Sequence, residues 1–320
     1  MKINRFLNLS AHEYLLYYTW RLNIDNILPS TRIRWIKVIE WLKKFNIKSY
    51  LCPLFSLSKD SVFLFQKTYS LKHRFMAKIL QKLWYTIVFD INESVVNTEW
   101  NLDNQVLAMV KISDYTIVSS SYYLKLLSKV WNVVLIEEVI EEQAMIKNDF
   151  LIWEHFVLWY CWYSYKFREI LEIKSVLYEV NSKKNIKILA IMEKPFTEDL
   201  WVDIEFLPYN KKNVLSLAKC DAFITHREDI PTNYWHSFTK IWLPMSLWLP
   251  VITNSVVHAY RWAPALMYST NEELENILHD CINWNINLKQ KSENWLWYVR
   301  DHYSPHKIYW DYYKFFRKLN

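Results

Sequence analysis

The stretch CDAFITHREDIPTNYWHSFTKIWLPMSLWLPVITNSVVHAYRWAP, residues 220–264, decides how the chain is read. DAFITH (221–226) is a short apolar run of buried-strand type. SFTKIWLPMSL (237–247) is helix-like, and LPVITN (249–254) is a second strand. A polar loop joins the first strand to the helix. Strand, helix and strand in close succession are the unit of a parallel, helix-covered sheet.

The same rhythm runs outward in both directions. SVFLFQ (61–66) reads as a buried strand, and Leu71, Phe75, Met76, Ile79, Leu80 and Leu83 recur at spacings of three and four, one face of a helix. YTIVFD (85–90) is the next strand, and YYLKLLSKV (122–130) and NVVLIEE (132–138) repeat the pair. In the second half FVLWYC (156–161), NIKILAIM (185–192) and VDIEFLPY (202–209) are strands, while FREILEIKSVLYEVN (167–181) and NVLSLAKC (213–220) are helix-like. The polar stretch IEEQAMIKNDF (140–150) separates the halves, and from Asn271 the chain is helical to its aromatic and basic end, DYYKFFRKLN. The expected fold is α/β, with two Rossmann-like domains over 1–152 and 153–300 and a closing helix over 301–320. A single larger α/β domain is the alternative.

The 320 residues contain no glycine and 18 tryptophans. At the usual frequency a chain of this length carries about 22 glycines. Trp84 and Trp131 each stand between a helix and a buried strand, where the left-handed position after a helix wants glycine and a Cβ is costly. Both anomalies have one explanation if many of these tryptophans stand where the natural protein has glycine. A gene that reads UGA as glycine, translated with UGA as tryptophan, gives this pattern, and 29 Lys against 10 Arg suits an AT-rich gene. The alternative is a Trp-rich protein with sugar-stacking or membrane-belt positions. Trp41, among good helix formers, reads as a true tryptophan.

Other features narrow the function. No run of 18 apolar residues is present, and MKINRFLNLSAHEY lacks the apolar core and cleavage site of a signal peptide. Cys52, Cys161, Cys220 and Cys281 lie far apart and form no CxxC, so the expected setting is the reducing cytoplasm. The nine His show no metal spacing. A net charge of +6 suits anionic substrates or lipid headgroups, including peripheral contact with a membrane surface, and is too weak to argue for nucleic acid. Asp90 ends a strand at a functional or merely capping position, and Glu137, Glu138, Glu141 and Glu142 form a solvated acidic run.

With glycine in place of tryptophan the central stretch becomes THREDIPTNYGHSFTKIGLPMSLGLPVITNS, which resembles the donor-side signature of GT-B glycosyltransferases that use nucleotide sugars. Lys240, Met245, Trp248 (as glycine), Pro250, Val251 and Ile252 fall in register with it. VLWYCWYSYKFREI (157–170), with glycine at Trp162, resembles the opening strand and glycine turn of the same donor domain. NILPSTRIRWIKVIEWLKKFNIKSYL (26–51), with glycine at Trp35, has a Ser/Thr–Arg pair opening a helix and then a strand, and resembles a first-domain loop that faces the interdomain cleft. YVRDHYS (298–304) is similar to the segment before the last helix, which in this superfamily crosses back to the first domain.

The resemblance implies an acceptor-side first domain and a donor-binding second domain facing a cleft. It implies transfer of a sugar from a nucleotide diphosphate sugar to a glycan or lipid-linked acceptor, retaining and without cofactor or metal. Lys166, Arg168 and Lys240 would meet the diphosphate, Ser237 and Thr239 would donate hydroxyls, and His236 would contact the sugar. Trp162 and Trp235, as glycines, would let backbone approach the donor, Tyr209 would border the base, and Arg32, Arg34 and Trp35 would face donor phosphate or acceptor. Plain alternatives stand beside these roles: N-capping for Ser237, a solvated helix position for Lys240, the core for Tyr209, the surface for Arg32 and Arg34. Many members carry two glutamates eight residues apart here; the matching places are Trp235 and Leu243. That departure leaves two rivals, a sugar-nucleotide epimerase on the same fold and a catalytically degenerate binding subunit.

Overall fold

The computed structural model describes residues 5–10, 37–45, 49–51, 61–91, 103–127, 132–139, 149–150, 154–161, 166–192, 194–196, 198–208, 215–234, 239–257, 260–261 and 263–319, with a few single positions between them. The chain divides into two compact units. The first comprises Met1–Glu141, Trp235–Ser237 and Tyr303–Asn320, the second Glu142–Tyr234 and Phe238–His302.

The first unit holds a sheet of β1 (Arg5–Ser10), β2 (Ser49–Leu51), β3 (Ser61–Gln66), β4 (Thr86–Ile91), β5 (Tyr115–Val118) and β6 (Val133–Leu135). Its order is β2-β1-β3-β4-β5-β6, with every pairing parallel. The helices are α1 (Lys37–Lys43), α2 (Leu71–Lys82), α3 (Asn104–Ile112) and α4 (Ser121–Leu127). Asp103 starts α3, its carboxylate accepting the Gln105 N–H at 2.7 Å. Neighbouring β3 residues Val62, Phe63, Leu64 and Phe65 are all buried, so both faces of the sheet are covered, as parallel sheets require.

The second unit contains β7 (Phe156–Cys161), β8 (Ile186–Met192), β9 (Asp203–Pro208), β10 (Ala222–Thr225), β11 (Val251–Asn254) and β12 (Leu266–Tyr268). The order β12-β11-β10-β7-β8-β9 is again wholly parallel. Read from β9, it runs 3-2-1-4-5-6 in order of appearance, the doubly wound dinucleotide-fold arrangement, with its switch point between β7 and β10. Its helices are α5 (Arg168–Leu171), α6 (Lys174–Lys183), α7 (Pro231–Tyr234), α8 (Thr239–Ser246), α9 (Asn271–Ile282) and α10 (Leu288–Tyr303). The last helix, α11 (Pro305–Lys318), packs with α1 in the first unit. The architecture is therefore α/β with two Rossmann-like domains.

Two helix expectations are corrected. The single helix over 167–181 is two, because Glu172 and Ile173 wind into i→i+3 turns onto Glu169 and Ile170. The helix over 213–220 is a 3₁₀ turn, Leu215–Lys219.

Among the described residues five have positive φ: Lys67, Trp84, Trp201, Trp248 and Trp284, with the four tryptophans at 60–67°. Trp84 follows the end of α2, its N–H bonding Gln81 O at 3.0 Å while Tyr85 N–H reaches Leu80 O at 3.1 Å. Trp248 ends α8 the same way: its N–H bonds Met245 O at 3.1 Å and Leu249 N–H bonds Pro244 O at 2.9 Å. These paired bonds are the Schellman turn, whose C′ residue is ordinarily glycine. Trp284 takes this position after α9, and Trp201 sits in a turn that Asp199 closes through its carboxylate at 2.8 Å. Trp131 lies outside the described residues.

Trp41 and Trp310 differ. They sit in helices and pack with Phe45 and Tyr313, Trp41 at 4.3 Å from Phe45 and Trp310 stacked at 4.9 Å on Tyr313. Trp159 and Trp295 are buried within a strand and a helix, but their indole N–H groups, like that of Trp248, have no hydrogen-bond acceptor among the described residues. Burying a donor without a partner is costly.

Trp284→Gly is expected to raise stability by about 1 kcal/mol by removing the left-handed penalty. Trp41→Ala is expected to lower it by about 3 kcal/mol by emptying the aromatic cluster. Urea unfolding midpoints of the two variants check both signs.

Candidate functional site

In an open α/β sheet a ligand sits beyond the carboxyl ends of the strands at the switch point. In the second unit that place is the end of β7 and of β10. The segment after β7 brings Lys166, Arg168 and Glu169; the segment after β10 brings His226, Arg227 and Glu228.

Glu169 is the hub. Its Oε2 accepts a 2.7 Å hydrogen bond from Arg227 Nη1 and its Oε1 a 2.9 Å bond from Lys166 Nζ. Glu169 and Arg227 are 1% and 2% exposed, so this is a buried ion pair, whereas Lys166 keeps a quarter of its side chain open to solvent. Glu169 thus lies between two cations, while Glu228 faces Arg168 and Glu172 faces His226, so the three cations and three carboxylates of the two segments balance. The Lys166 ammonium has three N–H donors and spends one on Glu169, which leaves it competent to donate outward.

Asn254, the last residue of β11, pins the same loop. Its Oδ1 accepts Arg227 N–H at 3.2 Å and its Nδ2 donates to Arg227 O at 2.7 Å. Beside it His226 Nε2 meets Glu172 Oε2 at 2.9 Å and His226 Nδ1 meets the Tyr268 hydroxyl at 2.8 Å. A carboxylate only accepts, so His226 Nε2 carries the hydrogen. Burial, then the Glu172 charge, pushes the Tyr268 hydroxyl far above its usual range, so it stays protonated. Arg168 is exposed, 3.5 Å from Glu228.

Behind these residues Asp221 closes the start of β10 onto β7, accepting Val157 N–H at 2.8 Å, with buried Lys147 3.6 Å away. Burial raises the Asp221 carboxyl, and the Val157 bond and the Lys147 charge oppose it.

Of the residues singled out from sequence, Lys166 and Arg168 stand at this switch point. Thr239 and Lys240 are the first two residues of α8, with their side chains outside the described residues. Trp162, Tyr209, Trp235, His236, Ser237, Arg32, Arg34 and Trp35 lie outside the described residues. Glu169, Glu172, His226, Arg227, Asn254 and Tyr268 escaped the sequence reading. The available signal was the charged run HRE (226–228) directly after a buried strand.

No protein-family model matches the chain, and no curated protein matches it by sequence. Solved structures do match. TarM superposes with a TM-score of 0.67 at 13% identity, over 87% of this chain and 57% of TarM. The chain thus spans a little over half of TarM. HepE from Anabaena, solved with UDP and glucose, superposes at 0.62 and 12% identity, over 98% of this chain and 99% of HepE. A glycosyltransferase from Rickettsia africae superposes at 0.64 and 9% identity, over 98% of each chain. The chain has the GT-B fold. In that fold the β7–β10 switch point belongs to the second Rossmann-like domain. Among the described residues, no cluster of three or more His, Cys, Asp and Glu could hold a metal ion. No described helix is long and apolar enough to cross a membrane.

Glu169→Gln removes the carboxylate charge beside a buried guanidinium and is expected to cost about 3 kcal/mol, whereas replacing both partners, Glu169→Met with Arg227→Met, recovers most of it. Thermal unfolding of the single and double variants measures this. Cys220 and Cys281 are fully buried, and burial pushes the Cys281 thiol up to about 12. Neither thiol is expected to react with a thiolate-trapping reagent at pH 8 until the fold is opened by denaturant.

Proposed function

We propose that this protein is a glycosyltransferase that moves a sugar from a nucleotide diphosphate sugar to a glycan or lipid-linked acceptor of the cell envelope, with retention of anomeric configuration. The observation that carries the proposal is the pair of cations at the switch point of the second sheet, Lys166 at the rim and Arg227 inside, gathered on Glu169 within a GT-B fold. HepE, with the same fold over nearly its whole length, was solved with UDP and glucose, which supports a uridine or similar nucleotide as the donor base.

The first unit is the acceptor side and the second the donor side. Lys166, Arg168 and Lys240 balance the charge that builds on the leaving diphosphate, as preorganised cations do in a site that excludes water. Ser237 and Thr239 donate to phosphate oxygens, His236 contacts the donor sugar and Tyr209 borders the base. Arg32 and Arg34 serve the acceptor side. The donor is itself the activated species, so no further cofactor enters the reaction. The setting is cytoplasmic.

We infer in addition that Trp84, Trp201, Trp248 and Trp284 stand where the gene specifies glycine through UGA. Their φ values support this, and so do the Schellman bonds around Trp84 and Trp248. The same assignment at Trp35, Trp162 and Trp235 would clear backbone for the substrates. UGG codons at these positions would refute it.

With glycine at those seven positions, the protein is expected to bind a nucleotide diphosphate sugar by calorimetry and transfer its sugar only when an acceptor is present. Release of free or epimerised sugar without acceptor would point to the epimerase, and binding without turnover to a degenerate subunit. In that protein Lys240→Ala is expected to lower turnover about a hundredfold. Unchanged turnover with every accepted donor would remove Lys240 from the mechanism.

A further inference from the structure

Helix α2 carries its most apolar row on the outside. Leu71, Phe75 and Ile79, with Leu83 just past the helix end, follow one another at intervals of four and so form one ridge. They are 74%, 66%, 43% and 54% exposed. The side turned inward presents His73, Ala77 and Leu80 instead. Lys78 and Lys82, at the same interval, run beside the ridge from Arg74, and Lys72 lies on its other flank. The helix, LKHRFMAKILQK, contains no acidic residue.

An exposed apolar ridge edged by lysines on a helix without carboxylates has a definite complement. A second copy of the chain would bring the same positive row against itself. An anionic bilayer offers acyl chains to the ridge and phosphates to the ammonium groups, which lysine stems reach while lying along apolar surface.

We propose that α2 is an interfacial helix that seats this protein on an anionic lipid bilayer, with Leu71, Phe75, Ile79 and Leu83 entering the headgroup–acyl boundary and Lys78 and Lys82 on lipid phosphates. The proposal stands on the first unit alone and is independent of the sugar-transfer chemistry.

Sedimentation of the full chain with vesicles tests it. The protein pellets with phosphatidylcholine vesicles containing phosphatidylglycerol, not with phosphatidylcholine alone, and is released when salt is raised to about 0.5 M, which shortens the reach of surface charge. Phe75→Ser with Ile79→Ser lowers partitioning about tenfold, by removing two inserted side chains. Lys78→Gln with Lys82→Gln weakens binding to the anionic vesicles. Both double variants alter exposed positions and unfold at the temperature of the parent. Three results would overturn the proposal: no pelleting with anionic vesicles, pelleting untouched by both double variants, or a lipid-free dimer that Phe75→Ser with Ile79→Ser dissolves.

Discussion

A chain that leaves a helix and enters a parallel strand within two or three residues must reverse direction in a very small space. The backbone does this by placing one residue in the left-handed region, where its N–H can return to the last helical turn. Both sheets depend on that manoeuvre, because β4 begins two residues after Trp84 and β11 three residues after Trp248. An L-residue with a Cβ pays roughly 1–2 kcal/mol for the conformation, and glycine does not. Trp84 and Trp248 at these bends, with Trp284 between α9 and α10 and Trp201 in the turn before β9, therefore say more about the chain than their chemistry as aromatic residues does. They sit where topology demands a residue that has no side chain.

The same topology creates the site. Parallel strands that wind outward in both directions from β7 leave a crevice between β7 and β10, and the loops leaving those two strands meet there. Glu169 arrives from one and Arg227 from the other. Their contact ties together two segments 58 residues apart and holds Lys166 at the rim. A buried ion pair of this kind adds little net stability over apolar packing, but it fixes which cation faces outward and which stays inside. Asn254 adds register by bonding both the N–H and the C=O of Arg227, so the loop after β10 has little freedom to reposition its charges.

Strand identities were legible in the sequence because buried parallel strands are short, continuous apolar runs: SVFLFQ, FVLWYC, NIKILAIM and LPVITN all form strands at or within a residue or two of their expected bounds. Helical character from Asn271 to the end was legible too, but its division into α9, α10 and α11 was not. Periodicity was less informative about direction. In α2 the three-and-four spacing is real, yet most of the apolar row faces solvent, because spacing records that a face exists and not what covers it. The break at Glu172–Ile173 was invisible for a related reason: Glu172 is recruited by His226, which lies 54 residues further along the chain.

What the sequence determined by itself is local: the order of strands and helices, and the bends where glycine is missing. These follow from hydrophobic period and backbone sterics, which act over a few residues. The strand order 3-2-1-4-5-6, the pairing of Glu169 with Arg227, the His226–Glu172–Tyr268 contacts and the outward face of α2 were decided only by tertiary structure. Each of them depends on which distant segments share a sheet edge or a layer, and no neighbouring residue carries that information.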